Sequence, residues 1–300
     1  MASFWIVATV IAAAAQTARN AMQSSLTASI GTIGAAQVRF LYGFPFSLLF
    51  LLGTVLVTGE RVPEAHPAFV GYAASGAVLQ IIGTVLMLAA MRLRSFAVAT
   101  AYLKTEPVLV ALASVLVLGE HLQAEAWLAI VIATLGVLVL SWKKPAQGDA
   151  AGGQWACALF GIGAGGCFAL AAVLFRGGIL GLGDAPFYVR ATTMLCWSLG
   201  IQSLILMVYM LVFDRAAFFG SLRVWRHSLF AGFMGALASQ FWFIGFSLSS
   251  AANVRTLALV EVVMAQIVSR GLFKQAVAWR DLAGMVLVVG GVGWLLLLTH

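Results

Sequence analysis

Two carboxylates, Glu106 and Glu261, stand 155 residues apart, each inside a long apolar stretch. Five cations share such surroundings: Arg19, Arg39, Lys104, Arg190 and Arg255. A charge at the centre of an isolated spanning helix costs about 2.5 to 3.5 kcal/mol. Seven such groups must therefore face one another, a wet cavity or a ligand. An arginine fork suits a carboxylate. A buried carboxylate that moves between an apolar surrounding and an arginine changes its hold on a proton, which couples protonation to conformation. Gln16, Arg19, Asn20 and Gln23 recur three or four apart, with the small Ala12 and Ala15 on the same stripe, so one helix face forms a polar wall. Tyr102 shares a face with Glu106, and Tyr42 lies three residues beyond Arg39. At 100° per residue Lys104 projects about 200° away from Glu106, so those two are not expected on one face. Gln80 and Gln240 sit mid-stretch, with Trp242 beside the second.

The elements that position these groups follow from composition. The chain has 300 residues, 62% hydrophobic and 9% charged, with a mean hydropathy of +1.03. That is too apolar for a wetted surface, so the bilayer is its solvent. A span needs roughly 20 apolar residues, and ten such runs are predicted: 4–22, 32–57, 68–91, 96–118, 126–142, 155–175, 187–213, 229–248, 251–272 and 282–298. The first has no basic residue before it and carries Gln16, Arg19 and Asn20 in its second half, so it reads as a mature helix and not a signal peptide. Cys157, Cys167 and Cys196 all fall in spans; their number and placement suggest neither a disulfide framework nor a metal site.

The polar, Gly- and Pro-containing stretch around 146–153 is the predicted linker between a first repeat, 1–145, and a second, 154–300. Val38-Arg39 followed by Ser47-Leu48 recurs as Val189-Arg190 followed by Ser198-Leu199. At a shift of 155, Ser95, Ala97, Glu106, Val108 and Ser114 match Ser250, Ala252, Glu261, Val263 and Ser269, and Gly136-Val137 matches Gly291-Val292. An odd number of spans per half makes the second half enter the membrane in the opposite sense. The predicted fold is therefore an all-α integral membrane protein of ten transmembrane helices, in two inverted five-helix repeats. Gly161-x-x-x-Gly165 and the Gly232/Gly235 pair predict close helix approach. Pro45 and Pro107 predict bends, and the fifth and tenth spans, almost without polar side chains, read as scaffold. Basic loop residues cluster on one side of this model, which makes that side cytoplasmic and both termini external.

At Ala36 to Leu41 (AQVRFL) and at Ser95 to Leu122, where Glu106-Pro107-Val108 leads to Gly119-Glu120, the chain resembles the ten-helix, EamA-type branch of the drug/metabolite transporter superfamily. The likeness spans nearly the whole length. In the second half Val262 replaces the expected proline and Lys274-Gln275 replaces Gly-Glu, so a role for that loop glutamate carries over to Glu120 only. The resemblance implies a central cavity closed alternately on each side and export of small metabolites or amino acids without ATP. It also implies cytoplasmic termini, against the charge distribution.

Together these features predict a multi-pass secondary transporter of the bacterial cytoplasmic (inner) membrane, not an enzyme, that moves a small polar solute, an amino acid or organic acid, by alternating access and with proton coupling. Gln16, Arg19, Asn20, Arg39, Tyr42, Gln80, Tyr102, Gln240, Trp242 and Arg255 are the expected solute contacts, and Glu106 and Glu261 the coupling residues. No cofactor, metal or nucleic acid is expected; the bilayer is the expected surrounding, and a homodimer is left open. The alternative is export of cationic compounds with Glu106 and Glu261 as counter-charges and Trp242 and Tyr102 as stacking surfaces. A membrane enzyme is disfavoured because His66, His121, His227 and His300 lack metal-ligand spacing and no nucleophile elbow is present.

Overall fold

A computed structural model describes residues 4–93, 99, 102–141, 153–260, 262 and 279–298, without the side chains of 140, 141, 153, 154, 280 and 281. All the elements among the described residues are helical: α1 Phe4–Thr58, α2 Pro67–Leu93, α3 Glu106–Leu118, α4 Ala124–Ser141, α5 Gly153–Gly181, α6 Phe187–Phe213, α7 Arg215–Arg223, α8 Trp225–Leu248, α9 Ala251–Leu257 and α10 Trp279–Leu298. Five of them (α1, α2, α5, α6 and α8) are long and apolar enough to cross a bilayer, and α3, α4 and α10 hold shorter apolar stretches.

The 55 residues of α1 would extend about 80 Å if straight, far beyond a hydrocarbon core of about 30 Å. Instead the chain folds back at Gly31, whose φ of 72° favours a residue without a Cβ. The side-chain amide of Gln23 donates to the carbonyl of Ala35 at 2.8 Å, a contact that a continuous helix would hold about 18 Å apart. Arg92 reaches back to Thr32 at the same end of the molecule, and Ala217 of α7 packs by Gly34. At the opposite end the Phe4 ring meets Phe187, and the His66 imidazole bonds the carbonyl of Gly181 at 2.7 Å. The two faces of the bundle are thereby defined, one carrying Phe4 and the other Thr32.

The halves interdigitate. The folded α1 packs on α8 and α6, α2 on α5, α3 on α5 and α9, and α4 on α10. A Cβ on Gly136 would stand 2.8 Å from the carbonyl oxygen of Gly284 and 2.7 Å from the backbone nitrogen of Val288. One on Gly291 would stand 2.8 Å from the carbonyl oxygen of Ala129 and 2.6 Å from the nitrogen of Ala133. Shifting Ala129, Ala133 and Gly136 by 155 gives 284, 288 and 291, so each glycine fits the partner of the other. Such reciprocity defines a local two-fold axis between two antiparallel helices, and it explains why these spans carry so few polar groups: their work is mutual packing. The other glycines singled out in the sequence act alike. Gly161 and Gly165 seat Tyr102 to Glu106 against α5, and Gly232 admits Tyr42 and Gly43.

Candidate functional site

Both halves contribute a helix that breaks. Before α3 the amide of Thr105 bonds the carbonyl of Tyr102, a tight i−3 pattern, with Lys104 and Thr105 in a turn and Pro107 in the first helical turn. After α9 the amide of Leu259 bonds Thr256 and that of Val262 bonds Leu259, again i−3. The two turns, 104–105 and 258–259, fall within one residue of the repeat shift. A proline cannot donate to the helix ladder, which accounts for the first break; the second forms although Val262 stands at the proline's position. Tight turns of this type inside a span mark a hinge, and a pair of them at matching places frees backbone groups deep in the membrane. Twelve residues at 1.5 Å place Glu106 about 18 Å from the end of α3 at Leu118.

Beside these breaks lies a cavity of about 70 Å³, lined by Gln16, Thr17, Arg19 and Asn20 of the first limb of α1, Arg39 of its second limb, Gln80 and Met87 of α2, Leu103, Lys104 and Glu106, Phe168 of α5 and Arg255 of α9. A water needs about 10 to 15 Å³ of such space, so the hollow admits about five waters or one small solute. Among its described lining residues four cations face one carboxylate.

Arg19 and Arg39 are each 2% exposed and Arg255 9%. Arg19 grips Asn20 Oδ1 through Nε at 3.2 Å and Nη2 at 2.6 Å. Arg39 donates to Thr84 Oγ1 at 3.3 Å and lies over the Phe40 ring, while its Nε is buried and unpartnered. Among the described residues no carboxylate pairs with Arg39, and Arg19 and Arg255 lie close enough to repel it. Gly235 of α8 sets this arrangement: a Cβ there would stand 3.0 Å from Arg39 Cγ and 3.2 Å from Arg19 Cδ, so the two arginine stems converge on a position kept bare. Arg255 Nε lies 3.2 Å from Glu106 Oε1, a charge contact rather than an aligned hydrogen bond. Its guanidinium stacks 4.1 Å from the Trp242 ring, whose indole N–H donates to Gln16 Oε1 at 3.0 Å. A continuous chain thus runs Glu106, Arg255, Trp242, Gln16, across both halves.

The structure brings Gln16, Arg19, Asn20, Arg39, Gln80, Glu106 and Arg255 to one cavity, with Trp242 as the wall behind Arg255. Tyr42 faces elsewhere, its hydroxyl donating to the carbonyl of Ser221. Gln240 donates to Thr192 Oγ1 between helices, Tyr102 packs on Gly161, and Gln23 braces the fold-back of α1. Arg190, the sequence counterpart of Arg39, reaches the carbonyl of Gly183 near the start of α6. Glu261 lies outside the described residues. Lys104 corrects a helical-wheel expectation: it lines the cavity with Glu106, because the turn at 104–105 interrupts the 100° progression. Gln202, not singled out in the sequence, is fully buried and donates to Gln80 Oε1 at 2.7 Å, orienting that lining residue. Its signal was present as a lone glutamine in an apolar span.

A charged hollow walled by both halves of a chain whose described elements are all helical, with apolar helices long enough to span, is the construction of a multi-pass membrane transporter. The chain belongs to the EamA-like transporter family, whose model matches residues 2–142 and again 155–297, which makes it a two-repeat protein of the drug/metabolite transporter superfamily. That membership points to transport rather than catalysis. A solved protein crystal structure is similar in fold over 98% of this chain and 97% of its own, with a TM-score of 0.67 and 17% sequence identity. No curated protein matches the sequence.

Proposed function

We propose that the protein is a secondary active transporter that moves a small anionic or zwitterionic metabolite, an amino acid or organic acid, across the cytoplasmic (inner) membrane by alternating access. Each half contributes five spans, ten in all and inverted with respect to one another; the antiparallel, reciprocal packing of α4 on α10 supports that topology. One observation carries the solute class: Arg39 is a buried guanidinium on the cavity with no acidic partner among the described residues and two like charges nearby. A carboxylate fits this fork and repays its desolvation. Gln16, Arg19, Asn20 and Gln80 complete the solute contacts, with Arg255 released from Glu106 as the carboxylate arrives. Glu106 and Glu261 are the proton-coupling residues, and export is the direction the family likeness favours. The partners are the solute and the surrounding lipid, with a homodimer compatible.

Export of cationic compounds, with Glu106 as counter-charge, is the weaker reading. Among the described residues Arg39 faces the hollow without an acidic partner, and the hollow's volume of about 70 Å³ is well below the roughly 300 Å³ that drug-sized ligands require. A thermal-shift screen of purified protein against amino acids, organic acids and cationic dyes separates the two. Stabilisation by carboxylate-bearing compounds, surviving Glu106→Gln, is expected; stabilisation by cations alone, lost in that variant, overturns the proposal.

A further inference from the structure

We propose that Arg176 and Glu120 form a latch that closes the cavity on the face carrying Phe4, and that Phe246 and the α8–α9 junction couple this latch to the cavity charges. Arg176 Nε donates to Glu120 Oε1 at 2.6 Å, and Arg176 Nη1 donates to the carbonyls of Phe246 and, at 2.5 Å, Ser249. One guanidinium therefore ties α5, the segment after α3 and the C-terminus of α8. The tie crosses the repeats, since Glu120 belongs to the first and the other three residues to the second. Both charged side chains are largely buried, and the second Glu120 oxygen is buried without a partner. The carboxylate thus holds by one oxygen where a fork could hold by two, so the contact is strong enough to close the face and incomplete enough to release it.

Coupling runs through shared residues. Phe246, whose carbonyl takes the Arg176 bond, stacks on Trp242 and has its ring 5.5 Å from the Arg255 guanidinium. Ser249 is followed by Ser250, whose hydroxyl caps α9, the helix that carries Arg255. When Arg255 exchanges Glu106 for a solute, the displacement reaches both carbonyls that anchor Arg176. The device is one-sided. By the shift of 151 that relates Arg39 to Arg190, Arg176 corresponds to Ser25, and by the shift of 155 Glu120 corresponds to Gln275, so the sequence does not repeat this charge pair in the other half. With the Phe4 face latched, alternating access leaves the Thr32 face as the route into the cavity.

The inference rests on the cavity being the solute's path, but its test needs no solute. In a variant with Cys157, Cys167 and Cys196 replaced by Ala, a single Thr17→Cys places a thiol on the cavity wall, and a membrane-impermeant maleimide is applied to each face of oriented vesicles. The parent should label from the Thr32 face and slowly from the Phe4 face. Arg176→Gln should speed labelling from the Phe4 face at least about tenfold, as loss of one partner of a buried pair does. Glu120→Gln, which leaves the carbonyl contacts of Arg176 in place, should give a smaller, several-fold rise, and it decides the matter alone if Arg176→Gln does not fold. Unchanged labelling from the Phe4 face in a well-folded Glu120→Gln variant, or fast labelling from that face in the parent, overturns the latch. Saturable uptake with unchanged labelling rejects the latch while sparing the transporter, whereas altered labelling in a protein that moves no solute rejects the transporter instead.

Discussion

Replacing Arg39 by methionine separates a solute-binding arginine from a structural one by the sign of two effects. A structural arginine loses stability when truncated. Arg39, 2% exposed, makes one long hydrogen bond to Thr84, leaves Nε unpartnered and is repelled by Arg19 and Arg255. An apolar side chain of similar length removes the desolvation cost and that repulsion, so Arg39→Met should raise the stability of the solute-free protein by about 1 to 3 kcal/mol. In a chain of this size that is an increase of several degrees in unfolding temperature. Solute binding should fall at the same time: a charged hydrogen-bonded contact contributes about 1.5 to 3 kcal/mol, which is roughly 10- to 150-fold in affinity. Scanning fluorimetry of the purified variant with and without the carboxylate that stabilises the parent reads both quantities. A less stable solute-free protein with normal solute affinity would refute the reasoning.

Arg19→Ala should abolish uptake into proteoliposomes while the variant still elutes as the parent does; normal flux removes Arg19 from the site. Glu106→Gln leaves Arg255 with an uncompensated charge and should destabilise the protein by about 3 to 5 kcal/mol, of which Glu106→Gln with Arg255→Gln recovers at least 1 kcal/mol in a double-mutant cycle; strict additivity argues against the pair. Gly136→Val and Gly291→Val should each destabilise by about 1 to 3 kcal/mol or more, because the added Cβ meets backbone within 2.8 Å and main chain cannot swing away. Gly53→Val, with nothing within 4 Å, should be nearly neutral in a thermal-unfolding series; equal losses at all three would contradict the reciprocal α4–α10 packing.

Much of the architecture could be read from residue types because a bilayer leaves few options: long apolar runs must be helices, and the recurrence of Gly136-Val137 at Gly291-Val292 marked a repeat, whereas the antiparallel contact between its two copies came only from the structure. The polar wall of Gln16, Arg19 and Asn20 was legible for the same reason, since polar groups at helical spacing cannot face lipid. Lys104 was misplaced because wheel geometry assumes an unbroken helix, whereas the chain turns at 104–105 just before Pro107. The fates of Arg39 and Arg190 were not separable either. Their local sequences repeat, and only the convergence of Arg39 and Arg19 on Gly235 distinguishes the cavity arginine from the one near the helix start. Gln240 and Tyr42 were ambiguous because an interhelical hydrogen bond and a ligand contact call for the same side chains.

The central claim is that the cavity between the repeats binds a carboxylate and is open to one face at a time. Counterflow in proteoliposomes tests it most directly: a radiolabelled carboxylate outside, the same compound unlabelled inside, and entry measured over a range of concentrations. Saturable entry, accelerated by internal compound and lost in Arg39→Met, is the predicted result. Entry that rises linearly without saturation or acceleration, or that is unchanged in Arg39→Met, contradicts it.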